Sequence, residues 1–146
     1  MDFNKSMFCF IDSLIKMTTD NKKHKKILEP VKKDLEVYKG MAELVISKSY
    51  NTPVKEFIKK VEPYIEKIKK KDETFFQTDK FTDSVVKDPV AGAEKEKDSL
   101  IKLLRFKEMW SYISESDKNY IYEMMNYLCI LSGEYVVLTQ KKMLMN

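Results

Sequence analysis

Apolar residues recur at intervals of three and four along most of this chain, which is the spacing that lines one face of an α-helix. The clearest example follows Thr52 and Pro53, where Thr52 is the expected N-cap and Pro53 the first helical residue, and runs to Ile68. Pro63 lies inside this run and is expected to kink or split the helix, because proline removes a backbone donor and clashes with the preceding turn. The pattern predicts an all-α fold.

Two further helices precede this one in the sequence. The first is predicted at about Asp2–Met17, with Thr18 to Asn21 ending it, and the second is expected to begin near Pro30. A fourth helix is predicted at Leu100–Ile113, after an irregular connection at about 72–98. Because 146 residues fit one ordinary domain, residues 1–146 are predicted to form a single bundle of about five helices.

The fifth helix is expected to be an apolar central helix, because apolar residues cover most of its circumference between Asn119 and Leu131. Ser116 is the candidate cap at its start. Gly133 is expected to end or bend it, with the next residues either continuing the helix or lying beyond it, and the tail after Lys142 is expected to fray. Carboxylates and other polar residues interrupt the segment 120–138, so no membrane insertion is predicted.

The two cysteines, Cys9 and Cys129, lie in apolar runs without a CxxC partner and are predicted to be buried free thiols. The start of the chain has no basic segment followed by a long apolar one, so no signal peptide is expected. We therefore expect an intracellular, reducing location.

The sequence contains no residue pattern that is typical of an enzyme active site. His24 is the only histidine and is flanked by Lys23 and Lys25, so a solvated side chain is expected rather than a catalytic base. No Cys and His cluster has metal-ligand spacing, and the three glycines stand apart, which excludes the known phosphate-binding loops. We predict a non-enzymatic protein with no cofactor, no bound metal and no small-molecule substrate.

Charge is unevenly distributed. The 27 basic residues include one arginine, Arg105, and residues 21–71 hold 15 lysines against 7 acidic residues. Arginine is the usual residue for specific base recognition, so only a weak, sequence-independent contact with a polyanion such as nucleic acid is expected. Six lysines form the candidate polyanion contact: Lys22, Lys23, Lys25, Lys26, Lys32 and Lys33. The alternative is a solvated face, because acidic residues interleave with these lysines.

Aromatic and methionine residues are abundant, with eight Tyr, eight Phe, nine Met and one Trp. Tyr, Trp and Met are common at protein interfaces, so some of them indicate a contact surface, although the same residues could fill the core. The candidate protein-contact residues lie on the last helix: Tyr120, Tyr122, Met124 and Tyr127. They predict a protein partner or self-association.

A set of residues within about 54–131 resembles a segment of the small uncharacterised helical proteins of large nucleocytoplasmic double-stranded DNA viruses. Its members are Phe57, Ile58, Val61, Pro63, Tyr64, Ile68, Asp72, Glu73, Phe75, Phe76, Met109, Trp110, Ile113, Ser114, Lys118, Ile121, Leu128 and Leu131. Tyr122 stands where that family often has tryptophan. The resemblance implies a virus-factory or virion setting in the host cytoplasm, and it supplies no catalytic residue.

The sequence thus favours a helical protein-interaction or virion-associated scaffold protein. The alternative is a weak polyanion-binding accessory protein that uses the Lys22 to Lys33 region.

Overall fold

The computed structural model describes residues 2–71 and 109–145, and all regular structure in these two ranges is helical. The elements in chain order are α1 (Phe3–Asp20), α2 (Lys25–Lys48), α3 (Thr52–Val61), a 3-10 turn (Glu62–Tyr64), α4 (Ile65–Lys69) and α5 (Glu115–Met145). The predicted all-α class is confirmed. The predicted irregular connection at 72–98 and most of the predicted fourth helix lie outside the described residues.

α1 is longer than the sequence predicted. Asp2 caps its start, where the carboxylate accepts a hydrogen bond of 2.8 Å from the backbone N–H of Lys5. Thr18 and Thr19 were expected to end it, but both hydroxyls donate to the carbonyl oxygen of Ile15, at 2.7 and 2.8 Å. This local bonding lets the helix accommodate both threonines and continue to Asp20.

α2 begins at Lys25, so the predicted start near Pro30 is wrong. The turn before the helix is closed by Asn21, whose side-chain oxygen accepts from the backbone N–H of His24 at 3.1 Å. Leu28, one turn into the helix, is almost fully buried. Pro30 therefore lies inside a helix whose first turn is already fixed by packing, and it costs one backbone hydrogen bond.

The predicted third helix is split at Pro63, as expected. α3 and α4 flank the 3-10 turn that contains this proline. The start differs by one residue from the prediction, because Asn51 is the N-cap and Thr52 is already helical. The Thr52 hydroxyl instead donates to the hydroxyl of Ser49, at 2.6 Å.

α5 is one continuous helix of 31 residues. Its cap is Ser114 and not Ser116, because the Ser114 hydroxyl accepts from the backbone N–H of Asp117 at 3.1 Å. The helix passes through Gly133 without ending, and the tail after Lys142 stays helical to Met145. A side chain at Gly133 would meet no atom within 4 Å, so nothing there forces a bend.

The core lies where α1, α2, α3 and the first half of α5 meet. Ile121 and Leu128 on α5 are almost fully buried, as is Trp110 just before this helix. Burial on α5 is confined to one side and stops at Ser132, whereas the second half of the helix is largely exposed. The segment predicted to be central, Asn119–Leu131, contains the buried residues Ile121, Tyr122 and Leu128, whereas the prediction that apolar residues cover most of its circumference is not confirmed.

Polar contacts fasten α1 to the neighbouring elements. Asn4 donates from its side-chain nitrogen to the carbonyl oxygen of Tyr50 at 2.9 Å, and the Tyr50 hydroxyl donates to Asp2. Lys39 on α2 pairs with Asp12 on α1 at 2.8 Å, and the bonded carboxylate raises the pKa of Lys39. The contacts of Asp2 and Asn4 hold the start of α1 against the α2–α3 turn, and the ion pair joins the middle of α1 to α2.

Candidate protein-interaction surface

The four aromatic and methionine residues predicted to contact a partner have different positions on α5. Tyr122 is only 4% exposed, and its ring packs edge-on against Trp110 with the centroids 5.4 Å apart, so it cannot be a surface contact. Tyr120 and Met124 are half-buried against the core. Tyr127 is 36% exposed and is the one member of the four at the surface.

The Tyr120 hydroxyl has an internal partner. It lies 2.8 Å from the hydroxyl of Ser13, which joins α5 to α1. Ser13 also donates to the carbonyl oxygen of Cys9, at 2.9 Å. Because a hydroxyl can donate only one proton, Tyr120 donates to Ser13 when Ser13 donates to Cys9. This geometry gives Tyr120 a structural role.

Sequence reasoning missed an exposed, largely apolar surface on α5, which lies next to the buried side that contains Ile121 and Leu128. We call it the α5 stripe. It consists of three rows with a seven-residue repeat: Tyr127, Glu134 and Lys141; Ile130, Val137 and Leu144; Leu131, Leu138 and Met145. Residues seven apart differ by about 20° around a helix, so each row is nearly straight.

Exposure increases along the α5 stripe toward the end of the helix. Leu131 is half-buried, Val137 is 50% exposed, and Leu144 and Met145 are each 87% exposed. Single exposed apolar residues are ordinary on a protein surface, but contiguous rows of them mark interaction sites. The sequence alone could have indicated this surface, because apolar residues also recur on a side of α5 other than the side that is buried.

α2 exposes a second apolar set. Its members are Ile27, Val37, Tyr38, Met41, Leu44 and Val45. Tyr38 and Met41 already have interaction partners within the chain, so this set is not an unoccupied face. The α5 stripe is the better candidate, because it contains the most exposed of these apolar residues, Leu144 and Met145, each 87% exposed.

A small groove lies between α3 and α5, beside the α5 stripe. Its volume is about 230 Å³, and Phe57, Val61 and Val136 supply much of its apolar wall. Cys129 also lines it and is half-buried, and this burial raises the pKa of its thiol although Lys69 opposes the shift. A raised pKa keeps the thiol protonated, which is unfavourable for a nucleophile.

Cys9 is exposed, so its predicted burial is wrong. The apolar run around it forms a helical turn, and Cys9 lies on the outer side of that turn, whereas Phe10 and Ile11 face the core. Cys129 is partly buried and only partly fits the prediction. Both are free cysteines, as predicted.

His24 lies in an open cleft between the α1–α2 turn and the start of α5. Its ring packs against the Tyr112 ring with the centroids 4.8 Å apart and is half-buried, so the side chain is only partly solvated. The turn is fixed by Asn21, whose side-chain nitrogen donates to the carbonyl oxygen of Tyr112 at 2.8 Å. Within the part of the chain that the structure describes, no hydrogen bond or ion pair joins the imidazole to Asp20 or Asp117, which also line this cleft.

The predicted polyanion-contact lysines surround the start of α2. Lys22, Lys23, Lys25, Lys26 and Lys33 are exposed, and Lys32 is half-buried. The first turn of α2 contains no acidic residue, so the positive end of the helix dipole adds to the lysine charge there. Glu29 and Glu36 lie on the same side further along the helix, which limits the positive surface to its first turns.

Across residues 2–71 and 109–145, no helix is long and apolar enough to cross a membrane, and no group of three metal-ligating side chains occurs. No protein-family model, curated protein or solved structure matches this chain.

Proposed function

We propose that this chain is a non-enzymatic helical interaction protein that docks another protein along the α5 stripe. One observation carries the proposal: the second half of α5 is a regular helix, and the apolar residues of the stripe that follow Leu131 are exposed, namely Val137, Leu138, Leu144 and Met145. Covering an apolar helix face of this kind with a partner is favourable, because it removes apolar surface from water.

The mode of contact follows from the shape of the surface. The helix is formed over its whole length, so docking does not require the backbone to be ordered first. Val137 and Leu138 lie at the middle of the stripe, where a covering partner excludes water best. We infer that these two residues contribute most to partner binding and that Tyr127, at the edge, contributes less.

A photo-crosslinking amino acid at Val137 tests this proposal in the cells that naturally make the protein. The matched control places the same group at Glu43, an exposed position on the polar side of α2. Crosslinks to a defined protein from position 137 only, unchanged by nuclease, are expected. Absence of protein crosslinks at Val137, or an equal pattern at Glu43, would contradict the proposal.

The setting of this interaction is also a proposal. The resemblance to proteins of large DNA viruses supports a scaffold role in a virion or in the host cytoplasm. Mass spectrometry of purified virions, compared with the soluble fraction of infected cells, tests it. Enrichment in virions is expected for a virion scaffold, and absence from them would leave only the cytoplasmic role.

A second candidate function is weak polyanion binding at the start of α2. The observation that favours it is the group of exposed lysines at a helix N-terminus whose first turn lacks acidic residues. Changing Lys22, Lys23, Lys25 and Lys26 to Gln is expected to abolish retention on DNA, and the retention of the unmodified chain is expected to fall steeply between about 0.05 and 0.2 M salt. Retention that is insensitive to salt would contradict this function.

A further inference from the structure

The α5 stripe contains two charged residues of opposite sign, Glu134 and Lys141. They lie in the same row, seven residues apart, and both are exposed. Neither has an ion pair within residues 2–71 and 109–145. A partner that covers the apolar rows must also place a group against each of these charges, since an unpaired charge in an apolar contact is unfavourable.

We propose that the partner docked by the α5 stripe is a second copy of this chain, bound antiparallel with the two-fold axis between Val137 and Leu138. This inference rests on the proposed function. In this arrangement Glu134 of each copy faces Lys141 of the other, so two equivalent ion pairs form across the interface. A parallel pair in register would place Glu134 against Glu134 and Lys141 against Lys141, which like-charge repulsion disfavours.

The apolar rows fit the same axis. About a two-fold axis between Val137 and Leu138, each of these residues meets its own equivalent. In one row Ile130 meets Leu144 of the other copy, and in the next Leu131 meets Met145. Each row therefore packs against the same row of the other copy, as an isologous interface requires. The apolar residues on either side partly shield the ion pairs from water.

The stripe is long enough for a specific but weak dimer. Residues 130–145, which overlap in this arrangement, form about 24 Å of helix. A contact between two single helix faces of this length is at the small end of specific interfaces, roughly 1,000 Å². We expect a dissociation constant in the range of about 1–100 µM, increasing with salt.

Charge exchange with sedimentation measurements tests the pairing. E134K and K141E are each expected to raise the dissociation constant at least about tenfold, and the double variant E134K/K141E to restore it to within about threefold. The matched control is E123K, which makes the same charge change at an exposed position on α5 beyond the reach of the other copy. Circular dichroism checks that each variant keeps its helix content.

Cysteine crosslinking tests the direction. In a background in which Cys9 and Cys129 are changed to Ser, chains with Ile130→Cys are mixed with chains with Leu144→Cys. The antiparallel pair predicts a mixed disulfide between the two kinds of chain and little crosslinking of either kind alone. Crosslinking of each chain with its own kind would indicate a parallel pair and overturn the inference.

The outcomes separate this inference from the proposed function. A chain that stays monomeric at about 200 µM in low salt would overturn the dimer. If the Val137 crosslinker then still captures a different protein, the proposed function stands without self-association. If it captures no protein, both fail. Equal dissociation constants for E134K and E123K would also overturn the pairing.

Discussion

The ring of Trp110 packs edge-on against the ring of Tyr122, with their centroids 5.4 Å apart. Both side chains are buried, and the contact joins the segment before α5 to the second turn of that helix. Lys118, one turn before Tyr122, places its ammonium 5.6 Å from the centre of the Trp110 ring. This aromatic cluster fixes the first half of α5, which leaves the second half free to present the α5 stripe.

Replacing Tyr122 by Ala is expected to lower the free energy of unfolding by about 3–5 kcal/mol, because it removes a buried aromatic ring. The matched variant Tyr127→Ala, five residues along the same helix, is expected to change it by less than about 0.5 kcal/mol. Urea unfolding followed by circular dichroism measures both. Similar losses in the two variants would contradict the assignment of Tyr122 to the core and Tyr127 to the surface. Tyr122→Phe, which keeps the ring, provides a folded reference.

Replacing Tyr120 by Phe tests its structural role. Loss of the hydroxyl removes the contact with Ser13 and is expected to cost about 0.5–1.5 kcal/mol of stability. In a double-mutant cycle with Ser13→Ala, the double variant is expected to cost less than the sum of the single variants. Strict additivity would show that the two hydroxyls do not interact. Partner capture at Val137 is expected to be unchanged.

The helices could be predicted from the sequence because each needs an apolar face. Phe10 and Leu14 on α1, and Ile121 and Leu128 on α5, follow the helical spacing and are all buried. The start of α2 could not be predicted in this way. It depends on Asn21, whose side chain bonds the carbonyl oxygen of Tyr112, 91 positions away in the sequence. A local pattern contains no information on that contact.

The candidate surface was only partly predictable. Tyr122 and Tyr127 differ by five positions, or about 140° around a helix, so the sequence places them on different sides. It does not say which side is buried, because that depends on where Trp110 and α1 pack. The seven-residue repeat of the α5 stripe was visible in the sequence. It was obscured because the apolar residues of the buried side follow a similar spacing.

Stability is expected to fall at low pH through Asp2. Hydrogen bonds from the Lys5 backbone N–H and the Tyr50 hydroxyl hold the pKa of Asp2 below its usual 3.8. A lowered pKa in the folded state stabilises the fold above about pH 3.8, and this contribution is lost as the pH falls through the folded-state pKa. Asp2→Ala is therefore expected to cost about 1 kcal/mol near neutral pH and progressively less as the pH falls below about 3.8.

The control for this prediction is Asp2→Asn, which keeps a capping oxygen but does not titrate. Urea unfolding of the three chains between about pH 6 and pH 2.5 measures the differences. The difference in free energy of unfolding between the Asn and Ala variants at position 2 is expected to be independent of pH. The difference between the chain with Asp2 and the Ala variant is expected to shrink as the pH is lowered. If the stability difference between the chain with Asp2 and the Ala variant stays constant to the lowest pH, the ionised carboxylate of Asp2 is not the source of that difference.

The two free thiols are expected to react at different rates with a thiol reagent. Cys9 is exposed, whereas Cys129 is half-buried in the groove between α3 and α5, where burial raises its thiol pKa. The thiolate is the reactive form, so Cys129 is disfavoured both by access and by protonation. With Ellman's reagent near neutral pH we expect a fast and a slow phase, the fast one absent in Cys9→Ser and the slow one absent in Cys129→Ser. Equal rates would show that the groove does not shield Cys129. If the α5 dimer forms, raising the protein concentration is expected to leave the Cys9 phase unchanged, because Cys9 lies on α1 and outside the proposed contact.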